Sequence, residues 1–191
     1  TPGFGHRYPF ADDPVPDPLT TSDGDATAGL LDAQRPKGGV PRIFYINTSA
    51  EYWRGDCSMI HMDTSGQHDL DMSGDSRAYL FAGTQHGHGT VPQTRLDTND
   101  GAQRRYGFNT VEYTPLLRAA LLNLDRWATE GVEPPPPQHP SLAQGTATDR
   151  ASVLRGFAPL PEMHLPDPDR LPVLRTVDLG PEKGGDPDQQ D

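Results

Sequence analysis

Apolar mass and positive charge are what this sequence has little of. Leu, Ile, Val and Phe together make 35 of the 191 residues, about 18% of the chain and below the share at which a domain readily buries a core of its own. Lys and Arg number 16 against 27 Asp and Glu, a formal net charge of -11. Binding a phosphate backbone needs clustered cations, so no nucleic-acid partner is expected. No run approaches the ~18 consecutive apolar residues of a membrane span. The opening Thr1-Pro2-Gly3-Phe4 has neither a cationic nor an apolar leader region, and the chain is expected to be soluble and without an address. Because it starts at Thr, it is expected to be a mature form or a piece of something longer. One cysteine, Cys57, excludes an internal disulfide.

In place of apolar residues there are 21 prolines and 20 glycines, which interrupt regular structure. Residues 1–39 are expected to form an extended arm, because each proline of Asp12-Asp13-Pro14-Val15-Pro16-Asp17-Pro18 disfavours helix in the residue before it. A short helix over Ala26 to Gln34, with Leu30 and Leu31 inward, is expected near its end. Residues 134–191 open with Pro134-Pro135-Pro136-Pro137, a stiff extended segment, and continue as a Pro-rich irregular tail. Residues 40–133 form the ordered middle.

That middle contains two β-branched and aromatic runs, Arg42-Ile-Phe-Tyr-Ile-Asn47 and Arg77-Ala-Tyr-Leu-Phe-Ala82, which read as buried strands. Glu51 follows the first and His86 the second, and loops at strand ends are where open α/β sheets keep their working residues. Beyond the first strand a short helix is expected, with Thr48 or Ser49 as N-cap and Trp53, Cys57, Ile60 and His61 on one side, although Gly55 weakens it. Residues 63–75 read as a polar loop and 87–110 as irregular. Pro115 to Glu130 reads as an amphipathic helix capped by Thr114 and ended by Gly131. Its apolar face is Leu117, Ala120, Leu121, Leu124, Trp127 and Ala128, at helical spacing.

Glu51 and His86 are the candidate catalytic residues. In nucleophilic hydrolases an imidazole takes the nucleophile's proton while a carboxylate orients the ring and stabilises the imidazolium. The acid-then-histidine order, each just after a strand, is that of the last two triad members in α/β-hydrolases. The bland alternative is a helix N-terminal carboxylate and an unrelated loop histidine. Asp56 ranks second as the acid.

Pro41-Arg42-Ile43-Phe44-Tyr45-Ile46-Asn47-Thr48-Ser49-Ala50-Glu51-Tyr52-Trp53, Phe81-Ala82-Gly83-Thr84-Gln85-His86-Gly87, Pro115-Leu116-Leu117-Arg118-Ala119 and the stretch from Trp127 to Pro136 resemble a largely uncharacterised α/β-hydrolase-domain family, over about residues 5 to 145. The resemblance implies an α/β fold: a partial α/β-hydrolase-like sheet of about two strands plus covering helices, with long irregular Pro/Gly-rich arms. It also implies that Glu51 lies in the loop after the penultimate strand and His86 in the loop after the last.

One departure stands out. Members of this family resemble other α/β-hydrolases in carrying a G-x-S-x-G elbow, the strained turn that exposes the serine and presents backbone N–H groups to the oxyanion. None of Ser22, Ser49, Ser58, Ser65, Ser73, Ser76, Ser141 and Ser152 lies in such a motif. The chain is therefore expected to match the C-terminal part of a serine-type hydrolase acting on a small-molecule ester or acyl substrate. A missing N-terminal half or partner chain would supply the nucleophile, and the isolated chain would be inactive. Cys57 reads as a packed thiol and Ser49 as a cap rather than substitute nucleophiles.

No cofactor is expected. The alternative chemistry is a metal-dependent hydrolase using His86 and His88 with His61 and Asp63, since imidazole and carboxylate suit zinc-like ions. Asp69-x-Asp71-x-Ser73-Gly74-Asp75 copies half an EF-hand loop, but Leu80 stands where a bidentate Glu is required, and it reads as an acidic turn. A third reading is a non-catalytic binding or interaction module.

Overall fold

The computed structural model describes residues 5–6, 11–12, 15–16, 27–55, 57–63, 65–97, 101–171 and 175–176. Its strands are β1 (Gly5–His6), β2 (Val15–Pro16), β3 (Thr27–Ala28), β4 (Ile43–Thr48), β5 (Ser76–Phe81) and β6 (Arg175–Thr176), and its helices are α1 (Ser49–Arg54), α2 (Thr114–Glu130) and α3 (Arg150–Phe157). β1 pairs with β6 and β2 with β3 over two residues each.

The architecture rests on β4 and β5, which pair in parallel in the register Ile43 opposite Ser76 through Thr48 opposite Phe81. Both strands fall within one residue of the apolar runs read from the sequence. Parallel strands need a crossover, and α1 followed by a polar loop supplies it. On its far side β5 is extended by the Pro-rich segment: Leu80 N–H donates to Gln138 O at 2.8 Å and Gln138 N–H to Ala78 O at 2.9 Å. On β4, Ile43 N–H bonds Asp75 O toward β5. The alternate residues Phe44 and Ile46 therefore turn their N–H and C=O groups to an edge that no strand pairs among the described residues.

α2 crosses one face of this sheet. Trp127 is 1% exposed, lies 5.9 Å from the Phe44 ring and has the Arg42 and Arg77 guanidinium groups 4.6 and 4.5 Å from its ring centroid. Such cation–π contacts strengthen when the ring is desolvated. Only Ala120 and Trp127 of the expected face are buried, while Leu117 and Leu121 are exposed, because two strands and a strap offer too little surface to cover a 17-residue helix. Its N-cap is Tyr113 without a side-chain bond, not Thr114, which is already helical.

Other expectations are corrected. Of the helix expected over Ala26 to Gln34, the described residues 27–34 hold β3 and a turn instead, a 3-10 turn follows at Arg35–Lys37, and Leu31 is buried while Leu30 is exposed. α1 stops at Arg54, where Gly55 adopts φ 84°, a left-handed conformation that glycine takes without a Cβ penalty. Cys57 and His61 follow it outside the helix, both buried. The segment expected to be irregular holds α3, which Asp149 caps by accepting Ser152 N–H at 2.8 Å. Of the described arm residues, Ala11 and Asp12 are buried, and Tyr45 Oη donates to Asp12 Oδ1 at 2.5 Å.

Candidate active site

Glu51 is placed by the end of β4. Thr48 caps α1, accepting Ala50 N–H at 3.2 Å, and Glu51, three residues on, closes a capping box. Its Oε2 accepts from Thr48 N–H at 2.7 Å and Thr48 Oγ1–H at 2.5 Å. Oε1 is thereby turned the other way, toward His86.

His86 Nδ1 lies 2.5 Å from Glu51 Oε1. With the carboxylate ionised, Nδ1 carries the proton and donates, and in the neutral ring Nε2 then has the lone pair. The Glu51 side chain is 12% exposed and that of His86 73%: the carboxylate is sheltered and the imidazole is open. Burial opposes ionisation of Glu51, but the hydrogen bonds from Thr48, His86 and backbone N–H groups outweigh it and hold the carboxyl below its ordinary value. Arg54 Nη2, at 3.8 Å from Oε1, is too far for a hydrogen bond.

The loop that carries His86 is tied from three sides. Gly83 N–H donates to Ser49 Oγ at 2.9 Å, so Ser49 joins the two strand ends instead of capping α1. Asn109 Nδ2–H donates to Gly83 O at 2.7 Å, and Asn109 N–H to Gln85 Oε1 at 3.0 Å. Tyr113 Oη donates to the His86 carbonyl. Asn109 and Tyr113 escape sequence reading because each acts across more than 20 residues from a stretch without periodicity.

The described part of residues 87–110 is less irregular than expected. Leu96 and Gln103 form an antiparallel bridge, Arg104 N–H donates to Arg95 O, Phe108 N–H to Thr94 O, and Gly89 N–H to Asn109 O at 2.6 Å. A Cβ on Gly89 would sit 2.5 Å from Phe108 Cβ, so that glycine permits a close backbone approach, not a loose turn. Folded back this way, the segment encloses with His86 an open cavity of about 540 Å³, whose walls include Gln85, His88, Arg104, Arg105 and Tyr106.

The alternative metal set is not assembled. His61 is 1% exposed, hydrogen-bonded through Nε2 to Tyr52 Oη at 2.8 Å and stacked on His139 at 4.1 Å. Burial and the neighbouring imidazole push its pKa down to about 4. Asp63 closes its own loop, accepting from Ser65 Oγ, Gln67 N–H and His68 N–H. His88 Nδ1 bonds Gly89 O at 3.0 Å. Among the described residues, no group of three or more His, Cys, Asp or Glu side chains is placed to hold a metal ion. Asp69 is more than an acidic turn, since it accepts from Ser141 Oγ, Leu142 N–H and Ala143 N–H.

Asp56, the second choice of acid, lies outside the described residues. Among the described residues no serine hydroxyl bonds the His86 ring; Ser65 and Ser152 serve nearby aspartates and Ser141 the more distant Asp69, while Ser73 and Ser76 are buried against each other. Cys57 is 2% exposed, as expected of a packed thiol.

No helix of the described residues is long and apolar enough to cross a membrane. No curated protein and no solved structure matches the chain. Residues 4–169 match the family of the alpha/beta hydrolase domain, a longer span than the quoted motifs cover. That match spans most of the chain, and the chain belongs to the alpha/beta hydrolase domain family.

Proposed function

We propose that this chain supplies the acid and the histidine of a serine-type hydrolase that cleaves a small-molecule ester or related acyl compound. The unit is residues 40–133, and it stands as the C-terminal part of the catalytic domain. The observation that carries the reading is the 2.5 Å contact between His86 Nδ1 and Glu51 Oε1, with the other carboxylate oxygen occupied by Thr48. An imidazole held in that way presents Nε2 as general base. It takes the proton of an attacking hydroxyl, and Glu51 stabilises the imidazolium; the same proton then passes to the leaving group.

The hydroxyl comes from a serine outside this sequence, on a G-x-S-x-G elbow at the end of a strand that runs parallel to β4. Binding across the sheet's C-terminal rim is the general habit of open α/β folds. The test is hydrolysis of p-nitrophenyl esters by the protein translated from the whole coding sequence, by this chain alone and by a His86→Ala variant of the whole protein. The whole protein should turn over, and the other two should not exceed background. Turnover by this chain above its own His86→Ala control would refute the external nucleophile.

A further inference from the structure

The cavity beside His86 has a charge pattern that a general ester pocket does not need. Arg104 and Arg105 both line it, in a chain of net charge -11. Arg104 pairs with Asp97 at 2.8 Å, and Asp97 lines the same cavity, so those two charges offset each other. Arg105 differs. Its guanidinium stands 5.3 Å from the Tyr106 ring centroid, and no carboxylate pairs with it among the described residues.

The rest of the wall is suited to an apolar body. Leu96, Tyr106 and Phe108 line the cavity with the histidines, and Leu96 and Tyr106, 43% and 59% exposed, leave apolar surface that the body of a ligand can cover. A guanidinium beside an aromatic ring in a half-open cleft recognises a planar oxyanion in two-pronged fashion and stacks on the body attached to it. One uncommitted cation matches one negative charge, which a carboxylate carries and a phosphate dianion exceeds.

We propose that the cavity binds a carboxylate through Arg105, and that the substrate is an ester or acyl compound with an anionic carboxylate on an aromatic or aliphatic body. The substrate assignment rests on the hydrolase reading; the carboxylate site does not. Arg105 thus sets specificity by holding the end of the molecule that does not react, while His86 faces the bond that does.

The site is tested without turnover. In this chain, with histidine rings isotopically labelled and pH fixed, benzoate should shift the His86 and His88 ring signals saturably, and neutral benzyl alcohol should not. Charge-assisted bonds to Arg imply that Arg105→Gln weakens benzoate at least about 10-fold, with Arg105→Lys between the two. Arg105 is exposed, so both variants should keep the parent spectrum elsewhere. Equal shifts with benzyl alcohol, undiminished benzoate binding by Arg105→Gln, or tighter binding of phenyl phosphate would overturn the proposal. An inert whole protein with intact benzoate binding would instead sink the hydrolase reading and leave the site.

Discussion

Glu51 Oε1 lies 2.5 Å from His86 Nδ1 although the two residues are 35 positions apart. A helix cap accounts for the rest of the carboxylate, since Oε2 accepts two hydrogen bonds from Thr48. One side chain thus fixes the start of α1 and the orientation of the imidazole.

These duties separate by substitution. In the whole protein, Glu51→Gln should lower kcat roughly 10²- to 10⁴-fold, because an amide neither selects the Nδ1–H tautomer nor stabilises the imidazolium. Its cost to folding should stay near ~1 kcal/mol, the scale of a helix cap. Ester kinetics and urea unfolding measured on the same variant check both. A Gln variant with unchanged kcat would remove Glu51 from the triad.

Asn109 binds the histidine loop to the segment that returns from the cavity, through Gly83 O and Gln85 Oε1. Asn109→Ala should reduce kcat about 10-fold or more, as expected when a reacting group is displaced by a fraction of an ångström, with KM for a neutral ester little changed. Wild-type kcat in that variant would show that the His86 loop holds its shape without this tie.

His61 gives the fold a pH dependence of defined sign. Its pKa is about 4 in the folded chain against an ordinary 6.5, so the unfolded chain binds the proton first as pH falls. The stabilisation is fully present above pH ~6.5 and is lost progressively down to ~4, amounting to up to about 3 kcal/mol. Glu51, whose pKa is also depressed, adds a loss in the same direction at lower pH. Urea midpoints between pH 4.5 and 7.5 should fall with acid, and less steeply for His61→Phe. Parallel slopes would exclude His61 as the origin.

These sites were not equally legible in the sequence. β4, β5 and α2 were readable because dense apolar runs and a helical period mark them. Glu51 and His86 drew notice in the sequence because each comes within a few residues of a strand's end. Gly55 marked the end of α1 locally, but the buried stacking of His61 on His139 and the ties made by Asn109 were not legible, since each depends on partners brought together by the chain fold and leaves no local period. The exposed half of α2 was misread for a related reason: periodicity reports which face is apolar, and whether enough sheet exists to cover it is a property of the assembled layers.

Trp127 holds much of what core there is. It is 1% exposed, against Phe44 and beside two guanidinium groups. Trp127→Ala should cost about 3–5 kcal/mol. Trp127→Phe should cost less, since it also removes an indole N–H that is buried without a partner. Thermal unfolding of the three forms ranks them, and an Ala variant as stable as wild type would move the core elsewhere.

The edge of β4 that no strand pairs among the described residues has a direction as well as an opening. β4 runs from Ile43 toward Thr48, with Glu51 just beyond its end. Any strand that adds alongside it in the same sense finishes at the Thr48 level, and whatever residue follows that strand emerges on the rim that Glu51 and His86 already occupy. An antiparallel addition would bring its first residue there and send its last to the opposite rim. The polarity of one six-residue strand therefore decides which end of an added strand can reach His86.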